Sequence, residues 1–222
     1  MQYHIHRADT APELSAPFEA WSDCETMRID RPAPGDWRYR PDTRLRLQYD
    51  DSGLYGLFQV SGDDAVRCVH RNFQDGVCKD SCVELFLCPM CGSGYSNFEI
   101  SAEGVMLTLH IEDETRTEDG FKRFRYLTKK EVRDVRIFHT LPDRIPLEIR
   151  EPTTYRVGVF LPFSLFKTLY GAPAPTRGTV WRGNAYKCGD ETAQPHFLSW
   201  NRVASETPNF HRPQDFGKMI LG

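Results

Sequence analysis

The 222-residue sequence lacks the features that would assign it to a membrane or to nucleic acid. It has no apolar run near the roughly 18–20 residues that a membrane-spanning helix needs. It has no run of basic residues, and its formal net charge is −3, so a phosphate backbone is not an expected partner. The first fourteen residues lack the continuous apolar core of a secretory signal, and we therefore expect a cytoplasmic protein.

The sequence also lacks internal repeats and a low-complexity linker in mid-chain. Because β-sandwiches and barrels often reach roughly 200–250 residues as one unit, the length predicts a single domain over residues 1–222. Residues 1–40 are expected to be an N-terminal extension packed on it. A chain of this size buries about 70% of its unfolded surface, so it needs neither a disulfide nor a metal in order to fold.

Cysteines are few, and their number, seven, is odd, which argues against a fully paired extracellular framework. Four of them cluster as Cys78, Cys82, Cys88 and Cys91. The last two have the spacing of a redox pair or of half a zinc site. A redox pair needs a helix N-terminus, however, and a zinc knuckle needs two matched pairs, whereas this pair ends an apolar strand. We expect reduced structural thiols, with zinc as the alternative.

Short strands dominate the apolar pattern of the chain. Residues 164–170 are the one candidate helix, and the charged residues 112–133 lack period-2 alternation, which predicts a long solvated loop. The pattern therefore predicts an all-β fold, an antiparallel β-sandwich of the jelly-roll or immunoglobulin-like kind. The predicted strands are residues 44–49, 54–60, 83–87, 95–102, 105–111, 135–141, 155–160, 180–188, 197–200 and 216–221.

Two neighbouring predicted strands carry polar side chains on one face. Alternation places Glu84 on one face of the first strand, and Asn97, Glu99 and Ser101 on one face of the second. If residues 89–94 close a hairpin, positions that sum to about 183 stand opposite each other, so Glu84 faces Glu99. Like charges opposed on a sheet are unfavourable, which predicts a compensating Arg or Lys, a cation, or ligand hydroxyls. The alternative is a solvated sheet face with ordinary polar residues.

Residues 181–201 mix aromatic, charged and amide side chains, which is unusual for a plain core strand. Sugars present an apolar C–H face and a rim of hydroxyls, so a sugar site needs a ring for stacking with polar groups around it. Tryptophan also fills cores, and a lone histidine is more typical of a hydrogen-bonded structural residue. The candidate residues are Trp181, Asn184, Lys187, His196, Trp200 and Asn201.

Six segments, in this order along the chain, carry a family resemblance. They are 79–87 (KDSCVELFL), 97–99 (NFE), 155–162 (YRVGVFLP), 181–190 (WRGNAYKCGD), 196–201 (HFLSWN) and 210–217 (FHRPQDFG). Together they resemble the carbohydrate-binding module family 9-like domains, over roughly residues 40–222. The resemblance implies a β-sandwich that binds sugars without catalysis, and it implies bound calcium.

The resemblance also implies site residues. Trp200 matches the family's stacking tryptophan, and Glu84 matches its sugar-binding glutamate. Asn97, Glu99 and Ser101 stand at the polar positions of the next strand. For calcium, which takes six to eight oxygens, the sequence offers acidic turns without the spacing of an EF-hand. These turns are Asp50-Asp51, Asp63-Asp64 and Asp190-Glu191.

Three functions stay open at the level of sequence. The first is a non-catalytic module for a mono- or oligosaccharide, with Trp200 as its stacking ring. The second is a glycoside hydrolase, because two carboxylates across a ladder could approach the roughly 5–5.5 Å of a retaining pair, although the hairpin offers no asymmetry to separate their pKa values. The third is a protein-interaction domain with a decayed sugar site, since Val77 and Cys78 stand where the family has a second stacking aromatic.

Overall fold

The computed structural model describes residues 1–35, 37–118 and 120–222. Short 3-10 helices lie at Phe18–Trp21, Val77–Lys79 and Pro213–Asp215. The other elements are β1 (Gln2–Arg7), β2 (Met27–Arg28), β3 (Arg31–Pro32), β4 (Asp42–Tyr49), β5 (Gly53–Asp63), β6 (Cys82–Cys88), β7 (Tyr95–Ser101), β8 (Met106–Thr117), β9 (Gly120–Tyr126), β10 (Arg136–His139), β11 (Thr153–Pro162), α1 (Phe163–Tyr170), β12 (Val180–Cys188), β13 (Phe197–Ser199) and β14 (Gly217–Leu221).

The strands form an all-β sandwich, as predicted, whose two layers share one strand. One layer has the order β10-β11-β5-β4 and the other the order β14-β12-β6-β7-β8-β9, with β1 between β4 and β14. The residues Gln2 to Ile5 of β1 pair with β14, and His6 and Arg7 pair with β4. Both pairings are parallel, whereas the other strand pairs of the described residues are antiparallel, as predicted. The first residues of the chain are hydrogen-bonded into the sheet, where the sequence predicts an extension packed on it.

The main core lies between the two layers. Period-2 alternation turns one face of each strand inward, so β4 contributes Leu45 and Leu47 from one layer, and β6 contributes Val83, Leu85 and Leu87 from the other. All of these side chains are at most 1% exposed. The opposite face of β6 carries a second core, formed with Phe86 under the segment that precedes β14. The strand β6 is therefore buried on both faces.

The charged residues 112–133 do not form the predicted loop. Strand β8 continues to Thr117 and pairs with β9, from Leu109 opposite Tyr126 to Thr117 opposite Gly120. Most side chains at the tip of this hairpin are exposed on both faces. Because neither face is covered, no apolar alternation is required there, and the sequence carries no period-2 signal.

The helix α1 forms where the pattern predicts it. It ends at Tyr170 and is capped by Gly171, whose φ of 65° is left-handed and whose N–H donates to the carbonyl of Lys167. None of the helices in the described residues is long and apolar enough to span a lipid bilayer.

Candidate functional site

Strands β6 and β7 provide the floor of the candidate site. Their register is the predicted one, with Glu84 directly opposite Glu99. The turn between them contains Gly94 at a φ of 80°, where a Cβ would overlap the carbonyl oxygen of Ile111. Glycine is therefore needed at this position, and the tight turn fixes the register that brings the two glutamates together. On the other side of β6, strand β12 places Tyr186 opposite Glu84.

A cavity of about 220 Å³ opens above this floor. Its walls come from the 3-10 helix Val77–Lys79, the end of β12, β13, the segment before β14, and β8. The lining residues are Cys78, Glu84, Glu99, Arg116, Cys188, Asp190, Phe197, Pro208, Asn209, Phe210 and His211.

One wall of the cavity is aromatic. The ring of Phe210 stacks on Tyr186, with centroids 4.0 Å apart and planes 12° apart, and lies 6.1 Å from the ring of Phe197. The Tyr186 hydroxyl also donates to the carbonyl of Phe210 at 3.0 Å, which anchors the segment to the sheet. Phe210 is 8% exposed and Phe197 is half-buried. Phe197 therefore offers the larger apolar surface to a ligand.

The opposite rim of the cavity is formed by His211 and by the β8–β9 hairpin. The Nδ1 atom of His211 lies 2.9 Å from the Tyr95 hydroxyl, and its ring packs 4.7 Å from Phe121. Burial lowers the pKa of His211 to about 3, with the charge of Arg116 adding to the effect, so the ring is neutral at physiological pH. The guanidinium of Arg116 lies 4.1 Å from the centroid of the Phe121 ring.

The two floor carboxyl groups are buried, with Glu84 2% and Glu99 4% exposed. Glu99 accepts one hydrogen bond, from the Asn97 side-chain amide at 2.6 Å, while its Oε2 has no partner among the described residues. Glu84 accepts from the thiol of Cys188 at 3.0 Å. Burial raises the pKa of Glu99 to about 7, and burial together with the charge of Glu99 raises the pKa of Glu84 well above its ordinary value.

A third carboxyl group, Asp190, lies on a wall that is fixed by backbone bonds and ion pairs. The amide of Asp190 donates to the carbonyl of Cys78, and the amide of Glu191 donates to the carbonyl of Lys79. The Glu191 carboxylate pairs with Lys79 and Arg67, both at 3.1 Å. Partial burial, with a contribution from Glu191, raises the pKa of Asp190 to about 6. These hydrogen bonds and ion pairs join the loop that carries Asp190 to the 3-10 helix Val77–Lys79. They fix the Asp190 carboxyl group at the mouth of the cavity.

The two tryptophans predicted for the site lie in the main core. Trp181 and Trp200 are each 3% exposed. Trp181 packs against α1, and Trp200 meets the edge of Tyr3 at a centroid distance of 6.3 Å. Trp200 also presses on Gly217, where a Cβ would come within 2.5 Å of the Trp200 ring. The prediction of Trp200 as a stacking ring is therefore corrected, because both of its faces are enclosed by protein.

Lys187 and His196 also lie away from the cavity. On β12, Lys187 has the opposite parity to Tyr186 and points between the two layers. Its Nζ lies 2.7 Å from Nε2 of His196 and 3.5 Å from a carboxylate oxygen of Asp63, and all three residues are fully buried. The prediction that Lys187 and His196 contact a ligand is corrected, because their polar atoms are used inside the core.

The side chains of the predicted amide and hydroxyl residues form hydrogen bonds with backbone groups. The Asn184 side chain accepts from the amide of Asn201 and donates to its carbonyl, and the Asn201 side chain donates to the carbonyl of Asp215. Ser101 accepts from the amide of Val105 in the β7–β8 turn. None of Asn184, Asn201 and Ser101 lines the cavity. Asn97 also lies outside the lining and acts by holding the Glu99 carboxyl group.

The sequence does not predict most of the residues that line the cavity. Phe210 and His211 begin one of the segments of the family resemblance, yet they lie in an irregular segment, where no periodicity gives the direction of a side chain. Arg116 belongs to the charged segment that the sequence predicts as a loop. Cys188 lies on the same face of β12 as Tyr186. The pairing of β12 with β6 is therefore the signal that could have placed Cys188 beside Glu84.

The cysteines that lie close together in the structure are not those that cluster in the sequence. Ligand atoms of Cys82, Glu84 and Cys188 lie within 4.8 Å of one another, whereas Cys91 is exposed in the β6–β7 turn. Burial raises the pKa of Cys82 to about 12, and a hydrogen bond with Cys82 together with burial raises the pKa of Cys188 well above its ordinary value. Two thiols and one carboxyl group are thus the potential metal ligands that the described residues bring together, and zinc stays the alternative to structural thiols.

One carboxylate in each acidic turn considered for calcium binds groups of the protein. Both oxygens of Asp50 accept hydrogen bonds from Ser52, Gly53 and Tyr55 in and beside its own turn. Asp63 is bound to Lys187, and Glu191 is paired with basic side chains. These three carboxylates already bind protein donors, and calcium, which takes six to eight oxygen ligands, stays a prediction of the family resemblance.

The substitution Glu99→Gln should raise the free energy of unfolding, relative to the wild type, more at pH 8 than at pH 5. The folded-state pKa of about 7 exceeds the ordinary value of 4.5, so the wild type loses stability as pH rises through this range. Glutamine cannot ionise, and we expect a relative gain of roughly 2–3 kcal/mol at pH 8. Urea unfolding at both pH values, with the exposed Glu118→Gln as control, measures it. Equal effects of Glu99→Gln at pH 5 and pH 8 would contradict a raised pKa.

Comparison with known proteins gives a consistent family assignment. The model of the carbohydrate-binding family 9 matches residues 21–221, and no curated protein matches the chain. A solved structure from Bacteroides uniformis, described as a candidate carbohydrate-binding protein, has a TM-score of 0.86 at 24% identity and covers 100% of this chain and 99% of its own.

Two further similar structures are of a family 9 carbohydrate-binding module from Caldicellulosiruptor kristjanssonii. The complex with glucose has a TM-score of 0.65 and the complex with cellotriose one of 0.63, each at 13% identity and over 100% of this chain. They cover 96% and 93% of their own chains. The match over residues 21–221 shows that this chain belongs to the carbohydrate-binding family 9.

Proposed function

We propose that the chain binds a mono- or oligosaccharide, without catalysis, in the cavity above Glu84 and Glu99. The observation that carries the proposal is the combination of a carboxyl floor and an aromatic wall around one space of about 220 Å³. A sugar ring has an apolar C–H face and a rim of hydroxyl donors, which are the two surfaces that such a cavity complements. The glucose and cellotriose bound by structurally similar family 9 modules support a saccharide as the ligand.

In the proposed complex, the half-buried ring of Phe197 packs against the C–H face of the sugar. Ligand hydroxyls donate to Glu84 and to the free Oε2 of Glu99, and Asp190 and Asn209 contact the hydroxyls at the mouth. The buried Oε2 atom supports this arrangement, because an acceptor removed from water without a partner is costly and a ligand donor relieves that cost.

The electrostatics of the floor favour binding over hydrolysis. A retaining glycosidase needs one carboxyl group that stays ionised as nucleophile and one that stays protonated as acid. In this chain, burial shifts the pKa of both Glu84 and Glu99 upward. The environment therefore does not stabilise either carboxyl group in the ionised form that a nucleophile needs.

The variant Phe197→Ala tests the site. Loss of the ring removes the apolar platform, and we expect binding to weaken roughly tenfold, equivalent to about 1.4 kcal/mol. A glycan array identifies the ligand, and titration calorimetry then compares the wild type, Phe197→Ala and Tyr126→Ala. Tyr126 is 52% exposed and lies outside the cavity lining, so its removal should leave the affinity within twofold.

Two results would overturn the proposed function. The first is the absence of saccharide binding by a folded wild-type protein across the array, which would favour a protein-interaction domain. The second is saccharide binding that Phe197→Ala and the floor variant Glu84→Gln both leave unchanged, which would place the ligand elsewhere on the molecule.

A further inference from the structure

The cavity has an excess of acidic groups. Glu84 and Glu99 form its floor, Asp190 lies at its mouth, and all three carboxyl groups line the same space. Among the described lining residues, Arg116 alone carries a permanent positive charge. Arg116 is exposed, and its guanidinium lies over the ring of Phe121 at the rim. The floor therefore has no cation of its own.

The basic groups nearest to the floor along the sheet and its loops are engaged elsewhere. Lys187 points to the other face of β12, where its Nζ meets His196 and the carbonyl of Cys188. Lys79 pairs with Glu191 outside the cavity. His211 does line the cavity, but its Nδ1 is occupied by the Tyr95 hydroxyl. The negative charge of the two floor carboxyl groups must therefore be neutralised by a proton or by a positive charge on the ligand.

The floor also has unused acceptor capacity. Among the described residues, Oε2 of Glu99 has no hydrogen-bond partner, although the residue is only 4% exposed. Glu84 receives a hydrogen bond from the weak thiol donor of Cys188. A hydroxyl group of a neutral sugar supplies one donor and no charge. A primary ammonium group supplies three donors and a positive charge, and hydrogen bonds between ionised partners are roughly twice as strong as neutral ones.

We propose that the saccharide taken by this cavity is an amino sugar, whose free ammonium group lies between the opposed side chains of Glu84 and Glu99. The inference rests on the proposed function and specifies its ligand class. The sugar ring packs on Phe197, as for any saccharide, and the ammonium group replaces the cation that the floor lacks. An N-acetylated sugar has neither the charge nor the three donors and is not favoured by the same geometry.

The test uses matched ligands that differ in one substituent. Titration calorimetry at pH 7.0 compares three hexoses, namely glucose, galactose and mannose, with their 2-amino and 2-acetamido forms. In the set with the preferred ring stereochemistry, we expect the amino sugar to bind at least tenfold more tightly than the neutral hexose and the acetamido form no more tightly than the hexose. The amino sugar should lose affinity between 50 and 500 mM NaCl, whereas the neutral hexose should not.

Two variants link the preference to the floor. In Glu99→Gln, the ratio of the affinity for the amino sugar to the affinity for the neutral hexose should fall below threefold, whatever the change in binding of the neutral hexose itself. Glu84→Gln should have the same effect and serves if the first variant does not fold, as checked by thermal unfolding. Glu118→Gln, at an exposed residue outside the cavity lining, should keep the full preference.

The outcomes separate this inference from the proposed function. Binding of neutral sugars with no preference for the amine in any of the three sets overturns the amino-sugar assignment and leaves carbohydrate binding intact. A preference for the amine that persists in both Glu99→Gln and Glu84→Gln also overturns it. The absence of binding by every sugar to the folded protein overturns the proposed function, and the amino-sugar assignment with it.

Discussion

Replacing Lys187 with methionine is expected to lower the free energy of unfolding by about 3–5 kcal/mol. The Lys187 side chain is fully buried, and its ammonium group compensates the buried carboxylate of Asp63 at 3.5 Å. Asp63 also accepts from the hydroxyls of Tyr39 and Tyr155. Burial alone would raise the pKa of Asp63, but Lys187 and the hydrogen bonds hold it below its ordinary value. Methionine preserves volume and leaves this carboxylate unpaired.

Chemical denaturation at pH 7 measures the effect of Lys187→Met. The matched control is Lys218→Met on the exposed side of β14, which should change the free energy of unfolding by less than about 0.5 kcal/mol. Adding Asp63→Asn to Lys187→Met should recover part of the loss, because the unpaired charge is then removed. The single variant should also lose less stability at pH 4 than at pH 8, since protonation neutralises Asp63. A loss below about 1 kcal/mol would contradict a buried ion pair.

The second large effect is expected at Trp200. Truncation in Trp200→Ala removes a ring that is 3% exposed and packed against Tyr3 and Gly217. The free energy of unfolding should fall by about 3–5 kcal/mol, as for other large aromatic residues in cores. The thermal unfolding midpoint and urea unfolding report this loss directly.

Sugar binding separates the core role of Trp200 from a stacking role. The milder Trp200→Phe keeps the core partly filled, and the affinity of this variant for the wild-type ligand should stay within twofold. Phe197→Ala, in contrast, should lose affinity with a smaller change in stability. A Trp200→Phe variant that is as stable as the wild type but binds at least tenfold more weakly would show that the ring contacts the ligand.

The parts of the site that are local in sequence could be predicted. The pairing of Glu84 with Glu99 depends on a six-residue turn and on period-2 alternation, and both are visible in the sequence. The burial of the pair follows from features that are not local. It requires β12 on the other side of β6, and the segment containing Phe210 above the floor. The sequence indicates a carboxyl pair without indicating that it is enclosed.

The side-chain directions of Trp200 and Lys187 could not be predicted for a related reason. A strand shows which residues share a face, but the choice of face depends on which elements cover it. Trp200 faces the core because β1 and β14 lie beside it, and β1 carries the alternating sequence QYHIHR, in which histidines hide the apolar pattern. Lys187 faces the core because Asp63, on β5 in the opposite layer, pairs with it there.

The position of β1 has a consequence for the order of folding. The strand pairs Gln2 with Lys218 and His6 with Gln48, so its two halves depend on chain segments that are far apart in sequence. Contacts of such high sequence separation form slowly, because the entropy of closing a long loop is lost before the contact is gained. Hairpins such as β6–β7 and β4–β5 can form early, but the two layers are joined through β1 only when β14 is in place. We therefore expect the joining of the layers to be a late event in folding, and the carboxyl floor to form before the main core is closed.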